Sequence, residues 1–239
     1  MKPLKITPIT TALFQQGENL GQFIVNSLSD YPIKEESILA VSSKLFSLAE
    51  GRVVKTTDKK HLIQQEADED LGESSHGYHL TIKEGLLLPS AGVDQSNSPT
   101  GDYLLFPKNP YLSLKKIWNF LTSHWSLKKF GLLMTDSHTT PLRRGVTGVA
   151  LAHWGFKAVK DLREKPDLYG RELKVTTVNN VDALASSAVW LMGEGNERRP
   201  LALIENAKLE WSSSSSSEEI RIPIEEDLYK NLLKNKINS

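Results

Sequence analysis

No cysteine occurs among the 239 residues. That excludes disulfides, thiolate-bound zinc, cysteine-ligated iron–sulfur clusters and a cysteine nucleophile within this chain. Charge of one sign is not in excess either: 29 Lys plus Arg balance 29 Asp plus Glu, so the formal net charge is zero. A polyanion binder usually carries a basic surplus, so nucleic acid is not an expected partner. No apolar run approaches the ~20 residues that span a bilayer. The segment "MKPLKITPIT" lacks the apolar stretch of a signal peptide. No membrane partner and a cytoplasmic location are the expectation. Three signatures are missing as well: the GxxxxGK[ST] phosphate loop, GxGxxG after a strand, and the GxSxG elbow of α/β-hydrolases. There is no solenoid repeat.

What is present is enough chain for one large domain or two small ones. Strands are expected at "LKITPIT", at the start of "SILAVSSKLFSL", and in "KFGLLMTDS", "GVTGVALAHWGF", "ELKVTTV" and "RRPLALIE". "YHLTIKEGLLLPS" reads as a hairpin turning at Glu84-Gly85. Helical spacing marks "ENLGQFIVNSLSDY" through Leu20, Phe23, Ile24 and Leu28, and "YLSLKKIWNFLTSHW" through Leu114, Ile117, Trp118 and Leu121. "KKHLIQQEADEDL" and "PIEEDLYKNLLKN" are shorter helical candidates. "VDALASSAVWLMGEG" reads as a helix with Asp182 near its start and Gly193 near its end. Strands and helices mix without regular alternation, which predicts an α+β fold with mixed or antiparallel sheets and flanking helices. Ser212 to Ser217 is a run of six serines, expected to be a mobile loop.

Three polar clusters follow or interrupt apolar elements: Asp94 to Asn97 in "AGVDQSN", Asp136-Ser137 in "TDS", and Glu194 in "MGEGNE". Each has a structural reading, as an Asx-turn or a helix cap. Together they supply the hard oxygen donors of a magnesium–nucleotide site. Glycines on both sides of Glu194 let backbone N–H groups approach phosphate, or simply cap a helix. Arg143 and Arg144 are suited to grip carboxylate or phosphate, or to pair at the surface. His76 and His79 stand three apart, but Gly77 and Tyr78 between them read as loop or strand, which disfavours a metal pair.

The stretches "AEGRVV", "AGVDQSN", "TDS…PLRRG", "KDLREKPDLYGRELKVT" and "LMGEGNE", in that order from about Ile6 to Glu205, resemble the coenzyme F420-0:L-glutamate ligase family. Within it, "SSKLFSLAEGR", "QQEADEDL", "LLLPSAGVDQSN" and "TDSHTTPLRRGVTGVALAH" are more similar to a branch assigned to folate metabolism. The resemblance implies a gamma-glutamyl ligase domain over residues 1–210, with two intertwined subdomains as an option, a Ser-rich loop and helix over 211–239, and an intertwined homodimer.

It also implies site roles. Asp94 and Asp136 would ligate one divalent metal, Mg2+ or Mn2+. Ser137 and Glu194 would serve a second, with K+ as an optional further cation. Asn97, Ser43 and Lys44 would contact GTP or ATP, and the loop Met192, Gly193, Glu194, Gly195, Asn196 to Arg199 would wrap it. Thr10 and Thr11 stand near the family's N-terminal nucleotide contact. Arg143 and Asp136 would act in catalysis, with Arg143 and Lys44 holding phosphate or carboxylate. Two cations of the pattern are replaced here, by Leu48 and Thr140. The implied reaction activates a carboxylate as an acyl phosphate and joins it to the amine of L-glutamate. The loss of two cations favours a folate-type acceptor, with F420-0 the alternative. A nucleotide-binding protein without turnover is the reading from another class.

Overall fold

The computed structural model describes residues 2–74, 77–98 and 100–237. In chain order the strands and helices are β1 (Lys5–Ile9), α1 (Leu20–Ser27), β2 (Ser37–Ser42), α2 (Ser43–Ala49), β3 (Val53–Val54), α3 (Lys59–Glu66), β4 (Glu69–Glu73), β5 (His79–Lys83), β6 (Leu86–Pro89), β7 (Tyr103–Leu104), α4 (Pro110–Trp125), β8 (Phe130–Thr139), β9 (Val146–Trp154), β10 (Val159–Asp161), β11 (Thr177–Asn179), α5 (Asn180–Met192), β12 (Leu201–Glu205) and α6 (Lys230–Ile237). The fold is α+β, as expected. No helix among the described residues is long and apolar enough to cross a membrane.

A five-stranded sheet in the order β1-β12-β2-β8-β9 forms the centre. It is antiparallel except for the β2–β8 pair, which runs parallel. Successive side chains point to opposite faces of a strand, so each central strand feeds two cores. Leu39 and Val41 of β2, Leu132 and Met134 of β8 and Leu201 and Leu203 of β12 pack on one face, with Phe23 and Ile24 of α1 and Leu114 and Leu121 of α4. Ile38, Ala40, Leu133, Ala202 and Ile204 point to the other, where α5 packs through Val181, Ala185 and Ala188. Small residues let α5 lie close. A Cβ built on Gly148 of β9 would sit 2.5 Å from the Ala185 carbonyl oxygen and 2.7 Å from Val189, so only glycine fits there. Asparagines cap the three best-formed helices: Asn19, Asn109 and Asn179 each accept a backbone N–H from the first turn.

Several details differ from the sequence reading. After the expected strand, "SKLFSLA" is the helix α2, an element the sequence reading did not assign. Strand structure near "ELKVTTV" is confined to Thr177–Asn179. The final helix starts only at Lys230. The serine run is not a loose loop. Ser212 N donates to the Gly155 carbonyl (3.0 Å), Ser215 Oγ to that of Phe156 (3.5 Å), and Ala158 N to the Glu219 carboxylate (3.2 Å). With Trp211 edge-on to Phe156, the segment is a strap across the end of β9. Of the histidine pair, His76 lies outside the described residues. His79 is buried and bonds Asp70 at 3.2 Å, a structural role.

Candidate functional site

β2 and β8 lie side by side and parallel, so their carboxyl ends reach the same edge of the sheet. Ligands favour that edge in sheets with parallel strands. Here β2 passes directly into α2, placing Lys44 at the edge. β8 pairs with β9 through a register shift between Met134 and Thr135, just before Asp136 and Ser137, with the extra residue, Leu151, on β9. Such irregularities re-aim side chains. The third wall is the loop from Gly193 to Pro200, which carries the chain from α5 back to β12. These elements enclose a cleft of about 610 Å3, within the usual size of a small-molecule site.

Electrostatically the cleft centres on Lys44. Its Nζ lies 2.5 Å from Asp94 Oδ2 and donates to Ser96 Oγ at 3.0 Å. Asp94 also accepts from Ser96 N (2.9 Å) and Ser96 Oγ (2.6 Å), closing an Asx-turn. Burial pushes the Asp94 carboxyl up, but Lys44 and Ser96 outweigh it and hold it below the usual range. For Asp136 burial wins: its carboxyl is raised to about 6, against the pull of Lys44 and the Ser137 N–H (2.9 Å), with Asp94 and Glu194 pushing the same way as burial. Glu194 is raised too, first by burial and then by Asp94 and Glu197, while Ser137 and Lys44 oppose the rise. Three acids therefore feel one another across the cleft, with one ammonium between them.

The sequence candidates divide into two groups. Thr11, Lys44, Asn97, Asp136, Ser137, Met192, Gly193, Glu194, Gly195 and Asn196 all line the cleft. Asp94 reaches it through Lys44. Thr11 and the glycine loop are laced together: Thr11 N donates to the Arg198 carbonyl (3.0 Å) and Arg198 donates back to the Thr11 carbonyl (3.1 Å). Asn97 Nδ2 donates to the Gly195 carbonyl at 3.4 Å, joining the "AGVDQSN" turn to the same loop. Thr10, Ser43 and Arg143 do not line it. Thr10 is exposed beyond β1. Ser43 is buried under α2, where its carbonyl accepts from Ser47 Oγ (3.1 Å). Arg143 is exposed in the β8–β9 turn. Phe14, Gln15 and Ser98 line the cleft without having been expected to, and Glu197 lines it as part of the expected loop from Met192 to Arg199. Nothing in "LFQQG" signals this. The turn after β1 reaches the site only because β1 and β12 pair.

The donor chemistry fits a nucleotide and a hard cation. Among the described residues, Ser98 Oγ and Arg199 Nε are buried in the cleft wall without a hydrogen-bond partner, and such orphans call for a ligand or water. Carboxylates and a hydroxyl are the donors Mg2+ or Mn2+ prefer, and the raised carboxyls of Asp136 and Glu194 mark a field that a cation would relieve. Among the described residues no three His, Asp or Glu side chains are gathered closely enough to hold a metal ion outright.

Residues 8–206 match the family described as F420-0:Gamma-glutamyl ligase. The coenzyme F420:L-glutamate ligase of Methanocaldococcus jannaschii is 30% identical over 96% of this chain and 98% of its own. That of Archaeoglobus fulgidus is 30% identical over 93% of this chain and 94% of its own. That of Methanococcus maripaludis strain C7 is 30% identical over 85% and 88%. The matched region contains every wall of the cleft, from Thr11 to Pro200. On this coverage the chain belongs to the F420-0:gamma-glutamyl ligase family and is a ligase.

Proposed function

We propose that this chain forms an amide between a carboxylate of coenzyme F420-0 and the amine of L-glutamate, driven by GTP or ATP and a divalent metal. The observation that carries the reading is the cleft itself: Lys44, Asp136, Ser137 and the loop Gly193–Arg199 meet at one sheet edge in a member of a ligase family. F420-0 is preferred over a folate-type acceptor for two reasons. The relatives named above are coenzyme F420:L-glutamate ligases. Of the two replaced cations that favoured folate, Thr140 lies outside the cleft, and only Leu48 lines it.

A carboxylate is a poor electrophile, so the reading routes it through an acyl phosphate. The terminal phosphoryl group passes to the acceptor carboxylate, the nucleoside diphosphate leaves, and the glutamate amine attacks the acyl carbon with loss of phosphate. Asp136, Ser137 and Glu194 would hold the divalent cation, with Asp94 as a further donor. When bound it would draw charge from the triphosphate. Lys44 neutralises the acids and is placed to meet a phosphate oxygen. Ser98 and Arg199 offer unpaired donors. The Thr11–Arg198 and Asn97–Gly195 bonds hold the walls together, which pre-orients the reactants.

We infer a homodimer as well. The segment 162–176 between β10 and β11 exposes Leu168, Tyr169 and Val175 at 90%, 79% and 85%, more apolar surface than one short arm ordinarily leaves to water. The activity test is phosphate release. It should require nucleotide, L-glutamate, F420-0 and Mg2+ or Mn2+ together, with one phosphate per amide formed. Equal release without an acceptor would point to a hydrolase instead.

A further inference from the structure

A second cavity, of about 480 Å3, lies on the other side of the end of α5. It shares Val189, Gly193 and Glu194 with the cleft, so the two meet at the glycine loop. Trp190 lines it. Of the five tryptophans, Trp118, Trp125 and Trp154 pack against one core and Trp211 against the other. Trp190 alone is turned out, 82% exposed, with no aromatic neighbour among the described residues. The floor is polar: Thr147 Oγ1 donates to Ser186 Oγ (3.2 Å), which donates to the Gly148 carbonyl (2.7 Å). Arg144 and Arg143 stand two and three residues before the lining residue Val146, in the β8–β9 turn, both exposed and without an ion pair among the described residues.

We propose that this cavity binds the acceptor, a flat aromatic ring system bearing an anionic group. The ring lies on the Trp190 indole, the anion meets Arg143 or Arg144, and the carboxylate reaches Glu194, where the cavity opens on the nucleotide cleft. The inference rests on the ligase reading above and assigns the acceptor's half of the site. A large aromatic left in water beside a cavity is the kind of surface that a planar ligand covers. The connection through Gly193 and Glu194 also supplies what phosphoryl transfer requires, two substrates approaching one point from separate sides. It gives Arg143 a place as well: outside the nucleotide cleft, but on the acceptor's path.

The test compares Trp190→Ala and Trp190→Phe with the wild-type protein. F420-0 and dihydropteroate are each bound by equilibrium dialysis without nucleotide, and nucleotide affinity and sedimentation are measured alongside. Trp190→Ala should weaken acceptor binding and raise acceptor KM by roughly tenfold or more. Nucleotide Kd should stay unchanged, and Trp190→Phe should restore most of the loss. Arg143→Gln with Arg144→Gln should weaken the acceptor and not the nucleotide. Unchanged acceptor affinity in Trp190→Ala would overturn the assignment. So would a loss that tracks dissociation into monomers, because Trp190 would then be an interface residue. Trp190-dependent binding of dihydropteroate and not F420-0 would keep the cavity and sink the F420-0 reading. Binding of neither acceptor by the wild-type protein would sink both.

Discussion

At Lys44 one ammonium group faces Asp94, Asp136 and Glu194. Like charges in a partly buried space oppose each other's ionisation, so Lys44 keeps the cleft from being a purely repulsive acidic pocket. Asp136 is poorly compensated: among the described residues its carboxylate accepts a hydrogen bond from Ser137 N alone. Asp136→Asn keeps the shape and that bond but removes the charge. It should lower kcat by roughly 10² to 10⁴, the cost that the proposed role of Asp136 as a metal donor implies. Without metal it should leave the melting temperature unchanged or raised, because a poorly compensated carboxylate is a net cost to folding at neutral pH. Steady-state kinetics and calorimetry check the two halves. A variant that loses activity only by unfolding would return Asp136 to a structural role. At this scale the sequence was legible where acids sit at strand ends. The structural reading of "AGVDQSN" is the one the fold shows: Asp94 closes an Asx-turn, and it also pairs with Lys44, a contact the sequence did not announce. Gln15 and Ser98 were not legible, because ordinary polar residues acquire a role only from the cleft that forms around them.

Among the elements, the sheet and its main helices were readable because periodicity and caps agree: α4 and α5 carry apolar stripes, asparagine caps and clean ends. The helix α2 was not, because seven residues of mixed β and helix propensity follow a strand without a breaker. The serine strap was misread for a related reason. Composition says that serines bury no apolar surface, but here their backbone and hydroxyls bond to Gly155 and Phe156 while Trp211 and Glu219 anchor the two ends. Removing Ser212 to Ser217 should therefore cost about 1–3 kcal/mol of stability. Nucleotide KM should stay near the wild-type value. The strap crosses the Gly155–Ala158 end of β9, whereas Ser137 pairs with Gly148 at the other end. Thermal denaturation and nucleotide titration of the deletion variant separate these effects. Unchanged stability would restore the view of a loose loop.

For the whole molecule, His153 is a buried pH-sensitive point. It is fully enclosed. Nδ1 lies 3.0 Å from the Tyr111 hydroxyl and Nε2 lies 3.7 Å from the Glu219 carboxylate. Burial lowers its pKa to about 4, with Lys157 adding to the fall and Glu219 opposing it. The unfolded chain, with an ordinary histidine near 6.5, then binds the extra proton between those values. The stability due to neutral His153 is complete above about pH 6.5 and is lost as pH falls toward 4, by on the order of 3 kcal/mol. His153→Gln should flatten the difference between stability curves in that window, and an unchanged slope would show that other groups carry it. The exposed arm belongs to this scale too. Leu168→Asp with Val175→Asp should turn a dimer into a monomer in sedimentation, and a persistent dimer would place the interface elsewhere. The motif resemblance and the α+β class were legible across nearly the whole chain. Acceptor choice was not: the proposed acceptor cavity is assembled from β9, α5 and the glycine loop, segments distant in sequence. The most direct test of the account is the product mass after incubation with L-glutamate, nucleotide, Mg2+ or Mn2+, and F420-0 and dihydropteroate in competition. The account predicts that F420-0 gains one or more glutamyl residues. Glutamylation of dihydropteroate with F420-0 left unchanged would contradict it.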